Sequence, residues 1–458
     1  MEYIDFLKSK EEKVVNNGFK VSREDLNNNL FEYQKDIVLW ALAKGKAAVF
    51  TQCGTGKTII QLEWANQIYK HIGGKVLILT PLAVAKQTQN EGAKFGINTT
   101  ICRCQGDVNS GINIANYDIL HKFNLNEFVG IVLDESSCLK DFTSKTKIEI
   151  IEGFKNTKYK LACSATPSPN DHMELGNHSE FLNVMSRTEM LAMYFVHDGG
   201  STSEWRLKGH AVNKFWKWVS EWAVMIDNPN DLGYKDKIFE LPKLNIHEVI
   251  VKTKDHNNEL IPHVALTLNE RREARKESIE ERLEAVKDLV YGTEEQWLIW
   301  CDYNYEADAL REVLPNSVEV RGSDTSEFKE ENLLAFAEGK IERLITKPSI
   351  ASMGLNYQSC NNMIFFGLSD SYEKFYQAIK RCHRFGQTKE VNVYVVIGEK
   401  EIAVLNNIKK KQEDAETMKR EMIKYANNIK NLEDAAKIKK VKTYDDKSKI
   451  EMTLPSWM

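Results

Sequence analysis

Short aliphatic runs punctuate the first half of the chain. Val76–Thr80, Ile112–Ala115, Gly130–Asp134 and Lys160–Ser164 are nearly continuous in apolar residues and are bounded by polar residues or glycine. Strands covered on both faces by helices read this way, whereas a sheet with one wet face alternates. From about Asn170 to Glu240 the pattern breaks. Trp205, Trp216, Trp218 and Trp222 fall there among few strand signals, and Phe215, Trp218 and Trp222 share one helical face at i, i+3, i+7. A packed helical insertion is expected, not a base-stacking surface. Leu241-Pro242-Lys243-Leu244 reads as a hinge, because proline biases its neighbour toward extended backbone. Strand signals resume at Ile246–Val251, Trp297–Cys301, Val318–Arg321, Arg343–Thr346, Met363–Phe366 and Val391–Ile397. Helical stretches at Asn269–Leu289, Glu327–Glu338 and Tyr372–Arg381 separate them. The expected fold class is therefore α/β, with two tandem parallel sheets flanked by helices. After about Glu399 the chain turns Lys/Glu-rich and reads as helix to near Lys440, followed by an apolar end, Leu454-Pro455-Ser456-Trp457-Met458.

Composition narrows the class without naming it. A length of 458 residues accommodates about two to four domains, each with its own core. The net charge of −4 excludes a global positive field, so any nucleic-acid contact must come from local patches. The eight cysteines are scattered with no C-x-x-C pair, which suits a reducing compartment. No apolar run reaches the roughly 18 residues of a membrane span, and the charged N-terminus does not read as a secretory signal. A cytoplasmic monomer with no membrane partner is expected.

The chemistry concentrates in a few places. The segment AVFTQCGTGKT is a strand-like run ending in a glycine-rich turn. Backbone N–H groups of Gly54, Thr55 and Gly56 can surround phosphate oxygens at a helix start. Lys57 would neutralise the β- and γ-phosphates of ATP, and the Thr58 hydroxyl would ligate Mg²⁺. Thr51 stands where the common phosphate-loop pattern has glycine. Downstream, GIVLDESS places two carboxylates at a strand's C-terminal edge: Asp134 for Mg²⁺ and Glu135 to orient and polarise an attacking water. Gln34, just before the loop, carries an amide able to pair with an adenine edge. Ser164-Ala165-Thr166-Pro167 follows a strand directly, as a relay from the γ-phosphate or as an ordinary strand exit. In the second half, Gly354 would let backbone approach a phosphate closely. The block QAIKRCHRFGQ then sets Arg381 and Arg384 at i and i+3 near a helix C-terminus, aimed at one edge. Their guanidinium forks suit bidentate phosphate contact.

Taken in order, Tyr33-Gln34, GTGKT, VLILTPLAVAKQTQNE, INIANYDIL, DESS, SATP, GLN and QAIKRCHRFGQ resemble the Swi/Snf-like ATPases of helicase superfamily two, over roughly residues 30 to 400. The resemblance implies two RecA-like lobes closing on ATP with Mg²⁺: residues 1–240, including a helical insertion at about 170–240, and residues 241–400. A helical extension, 401–458, follows. It further implies a motor on double-stranded DNA, sequence-tolerant, in replication, recombination or repair, working with a replication or nuclease protein. Arg384 takes the place of the arginine finger and Arg381 that of a second phosphate ligand. The family's second motif usually ends in His, where this chain has Ser137, so the link between hydrolysis and DNA is open to rewiring. Ser164-Ala165-Thr166 is closer to strand-separating helicases, which keeps a DNA or RNA helicase as one alternative. An ATP-gated recruitment module docking through its C-terminal tail is the other. The compact form resembles bacterial or bacteriophage members.

Overall fold

A computed structural model describes residues 17–141, 143–197, 205–234, 239–253, 267–350 and 356–426. Lobe 1 is built on a seven-stranded sheet, preceded by helix α1 (Glu32–Lys44). Its strands are β1 (Lys46–Thr51), β2 (Lys75–Thr80), β3 (Thr99–Ile101), β4 (Gly111–Asn116), β5 (Phe128–Asp134), β6 (Tyr159–Ser164) and β9 (Ala223–Ile226). They run in the order β3-β4-β2-β5-β6-β1-β9, every pairing parallel. The near-continuous apolar runs follow from burial on both faces. Ala48, Phe50, Leu77 and Leu133 enter one core, while Ala47, Val49, Ile78 and Val132 enter the other. Helix α2 (Lys57–Ile72) leaves the end of β1 and packs on the second face.

The tryptophan-rich stretch is a packed element, as its periodicity suggests. Helix α3 (Val212–Trp222) buries Phe215, Trp216, Trp218 and Trp222 against the first face of the sheet. The stretch is not wholly helical, however. An antiparallel pair, β7 (Phe195–His197) with β8 (Trp205–Leu207), lies inside it. Strand β9, near its end, pairs with β1 and so belongs to the lobe's own sheet.

Lobe 2 carries β10 (Leu244–Val251), β11 (Trp297–Trp300), β12 (Val318–Val320), β13 (Arg343–Thr346), β14 (Asn362–Phe366) and β15 (Val391–Gly398), all parallel, in the order β10-β15-β14-β11-β13-β12. The long helix expected at Asn269–Leu289 is two, α4 (Leu268–Glu277) and α5 (Ile279–Val290). They part at Ser278, whose hydroxyl donates back to the Ala274 carbonyl at 2.9 Å, a contact that bends helices. Helix α6 (Tyr372–Ile379) follows β14, and α7 (Ile402–Ala426) closes the described chain.

Helix α7 joins the lobes. Val404, Leu405 and Ile408 at its start belong to the lobe 2 core, while Met418 and Met422 near its end lie in the lobe 1 core. Burying the two methionines stabilises that junction by about 3–6 kcal/mol. Lys419 pairs with Asp227 beside β9, and Lys411 donates to Asn170 of lobe 1 at 3.1 Å and to the Asp370 carbonyl of lobe 2 at 2.8 Å. The expected helix beyond Ala426 and the apolar end lie outside the described residues.

Candidate nucleotide site between the lobes

The sheet order explains why distant motifs meet. β6 lies between β1 and β5, with Phe50 opposite Ser164 and Asp134 opposite Cys163. The phosphate loop, the Asp-Glu pair and Ser164 therefore all leave the same edge of the sheet. Gly54 and Gly56 take φ values of +93° and +79°, which side chains rarely adopt, and α2 begins at Lys57. Glu135 itself has a φ of +60°. A non-glycine residue in that region is strained and is held there by its surroundings.

Side chains fix the carboxylates. Glu135 Oε1 accepts from the Ser164 hydroxyl at 2.5 Å, and Glu135 Oε2 lies 3.9 Å from Lys57 Nζ. Ser164 Oγ also accepts from the Thr166 backbone N–H at 3.0 Å. Asp134 is held from two sides: Gln61 Nε2 donates to its Oδ1 at 2.8 Å, and Tyr117 donates to its carbonyl at 2.7 Å. Burial pushes the Asp134 carboxyl up, against the opposing pull of Lys57 and Gln61. Burial also works against the Lys57 ammonium, but Glu135 above all outweighs it and leaves the lysine above its ordinary value. Gln61 lies four residues after Lys57 on α2, one turn along the same face. That spacing was visible in the sequence; its partner was not.

Gln34 sits differently from its expectation. Its Nε2 donates to the Thr55 carbonyl at 3.1 Å and its Oε1 accepts from the Phe31 N–H at 3.0 Å. Tyr33 donates to the same Thr55 carbonyl at 2.6 Å. A Cβ added at Gly56 would fall 2.2 Å from Gln34 Nε2. The amide thus props the phosphate loop from behind, both of its ends engaged within lobe 1.

Lobe 2 meets the loop directly. A Cβ on Gly54 would lie 3.3 Å from the Phe385 nitrogen and 3.7 Å from Arg384 Cβ. Lys380 Nζ donates to Gln52 Oε1 at 3.0 Å, and His383 Nε2 contacts the Pro242 carbonyl of the hinge at 2.8 Å. Burial lowers Lys380 to about 8. The arginines are not on a helix, contrary to the i, i+3 argument: α6 ends at Ile379, and Arg381 and Arg384 lie in the turns beyond it. They reach the cleft nevertheless, because that turn is folded over the phosphate loop. Gly354 lies outside the described residues.

The result is a cleft of about 370 Å³ lined by Gly54, Gly56, Lys57, Thr58, Asp134 and Glu135 from lobe 1, and by Gln377, Arg381 and Arg384 from lobe 2. Thr55 forms part of the loop but engages Gln52 through its hydroxyl at 2.8 Å. Arg384 donates to Asn356, yet its buried Nε has no hydrogen-bond partner among the described residues. Burial, with Arg381 alongside, disfavours the Arg384 charge. A cleft with cationic groups on both walls, an orphaned guanidinium nitrogen and loop N–H groups fits a polyanion. Two carboxylates at its floor fit a divalent ion.

A DEAD/DEAH box helicase model matches residues 31–175, and a helicase conserved C-terminal domain model matches residues 281–386. Both models are helicase families, and the relatives that the chain resembles include Swi/Snf-related proteins. One protein similar to this chain is the SWI/SNF-related matrix-associated actin-dependent regulator of chromatin subfamily A-like protein 1 of Bos taurus. It is 21% identical over 418 residues, covering 82% of this chain and 43% of the relative. The chain thus spans less than half the length of that relative. The uncharacterized ATP-dependent helicase YqhH of Bacillus subtilis (strain 168) is 22% identical over 403 residues, covering 76% of this chain and 72% of the relative. A solved structure, the Sulfolobus solfataricus SWI2/SNF2 ATPase core in complex with dsDNA, is similar at 17% identity and a TM-score of 0.43, covering 89% of this chain and 99% of that one. No helix among the described residues of this chain is long and apolar enough to cross a membrane.

Proposed function

We propose that this protein is an ATP- and Mg²⁺-dependent motor that translocates on double-stranded DNA in replication, recombination or repair. The observation that carries the reading is the shared cleft: Lys57 and Glu135 on one wall, Arg381 and Arg384 on the other. In the reaction Lys57 and the loop N–H groups hold the β- and γ-phosphates, Glu135 orients the attacking water, and Arg384 meets charge developing on the γ-phosphate. Arg381 is a second phosphate ligand. Thr58 and Asp134 would hold Mg²⁺, which neutralises phosphate charge when bound. Because half of this machinery belongs to each lobe, each cycle of hydrolysis couples to lobe movement, and lobe movement steps the protein along a phosphate backbone. DNA is the expected track, since the similar archaeal core was solved with dsDNA. Contacts to phosphate carry no sequence information, so binding is sequence-tolerant and weakens steeply with salt.

The test is ATP turnover with and without duplex DNA, paired with a strand-displacement assay on duplex and forked substrates. A rate raised by duplex without strand separation is expected. A rate indifferent to every nucleic acid removes the motor reading.

A further inference from the structure

Ser137 stands between carboxylates of different lobes. Its hydroxyl lies 2.5 Å from Glu373 Oε1 on α6 of lobe 2 and 3.2 Å from Glu135 Oε1 of lobe 1. A hydroxyl has one proton to donate, so the two carboxylates compete for it, and the shorter contact favours Glu373. The other oxygen of Glu373 pairs with Lys140 of lobe 1, which holds the carboxylate in place. Ser137 and Glu373 are both buried, so bulk water does not replace either partner.

The competition matters because of what else reaches Glu135. Its Oε1 already accepts from Ser164 at 2.5 Å. A carboxylate oxygen offers about two lone-pair positions. With Ser164 and Ser137 both donating, Oε1 has none left for a water. With Ser137 turned to Glu373, one is free.

We propose that Glu373 is a positioning residue for ATP hydrolysis, acting through the Ser137 hydroxyl. Docked on lobe 1, Glu373 accepts the Ser137 O–H hydrogen bond and opens Glu135 Oε1 to the attacking water. When it withdraws with lobe 2, the Ser137 hydroxyl turns its hydrogen bond to Glu135 and closes the position. Glu373 lies in the first turn of α6, and the same helix leads into the turns bearing Arg381 and Arg384. One rigid element therefore delivers the arginines and removes the competing hydroxyl together. Water is activated only when the lobe that stabilises the charge has arrived. The inference rests on Glu135 acting on the water, as set out under the proposed function.

The experiment measures kcat and KM for ATP at saturating duplex DNA for Glu373→Ala, for Glu373→Ala combined with Ser137→Ala, and for Glu135→Gln. Glu373→Ala should lower kcat by about three- to tenfold, the effect of one hydrogen bond, with KM for ATP little changed. Adding Ser137→Ala should restore kcat, because no hydroxyl remains to occupy Glu135. Rescue cannot come from a misfolded protein, so the double variant controls for the lost Lys140 pair. An inactive Glu135→Gln protein with no rescue in the double variant overturns this inference alone. Glu135→Gln turning over at the wild-type rate overturns the reading of Glu135 as well.

Discussion

The backbone nitrogen of Phe385 sits 3.3 Å from the place a side chain on Gly54 would begin, so the phosphate loop of one lobe and the arginine turn of the other are in van der Waals contact. Gly54 is constrained twice, by this approach and by its φ of +93°. Gly54→Ala should cost about 1–2 kcal/mol from the left-handed backbone alone and push the arginine turn outward by a few tenths of an ångström. Thermal unfolding should shift modestly while ATP turnover falls far more than stability does. Equal wild-type turnover would mean that the lobe contact is incidental to catalysis.

Lys57 and Glu135 share one ion pair but should fail differently. Lys57→Ala removes the cation facing the phosphates, so binding of a fluorescent ATP analogue should be lost with hydrolysis. Glu135→Gln keeps the size and one acceptor, so binding should persist while phosphate release slows by about 10²- to 10⁴-fold. A Lys57→Ala protein that still hydrolyses ATP would remove the phosphate-loop assignment.

His178 gives a pH signature that the nucleotide site does not share. It is fully buried, with Nδ1 3.4 Å from the Glu174 carbonyl and Nε2 3.0 Å from Ser136 Oγ. A neutral ring that donates from Nδ1 to the Glu174 carbonyl can accept the Ser136 hydroxyl at Nε2. Burial pulls it from 6.5 down to about 4. The unfolded chain therefore binds the extra proton first, and stability is lost as pH falls from about 6.5 to about 4, by about 3 kcal/mol at most. Glu174, raised by burial to about 7, titrates with the opposite sign in the same window. The difference between wild type and His178→Gln in denaturant midpoint against pH is thus the clean readout: the gap should narrow or reverse toward acid. A gap independent of pH would contradict a neutral buried His178.

Met422, from the end of α7, is buried in the lobe 1 core although the helix starts on lobe 2. Met422→Ala should destabilise by about 2–5 kcal/mol, read as a lower urea midpoint. Because the loss falls at the junction, the unfolding transition should also broaden as the lobes uncouple. A surface-like change of a few tenths would mean that the helix end does not pack there.

Local chemistry was the legible part of this sequence. GTGKT and DESS each carry their geometry within a few residues, and the aliphatic runs marked the central strands, which are covered on both faces, but not the short β3, β7, β8 and β9. Some features escaped for different reasons. β9 is four residues following a tryptophan-rich helix, too short for its apolar run to stand apart. The arginine block was read as helix because Tyr372–Ile379 is amphipathic, yet the chain turns before Arg381. Gln34 and Glu373 find partners fixed by tertiary packing, Thr55 in the first case and Ser137 and Lys140 in the second. No periodicity announces a hydrogen bond between residues 236 positions apart in different lobes.

Whether the two lobes complete one triphosphate site is decided at Arg384. Single-turnover hydrolysis and equilibrium ATP binding should be measured together on Arg384→Ala. Hydrolysis should slow by about 10³-fold or more with binding nearly intact. Hydrolysis at the wild-type rate would show that the arginine turn, for all its closeness to Gly54, takes no part in the chemistry.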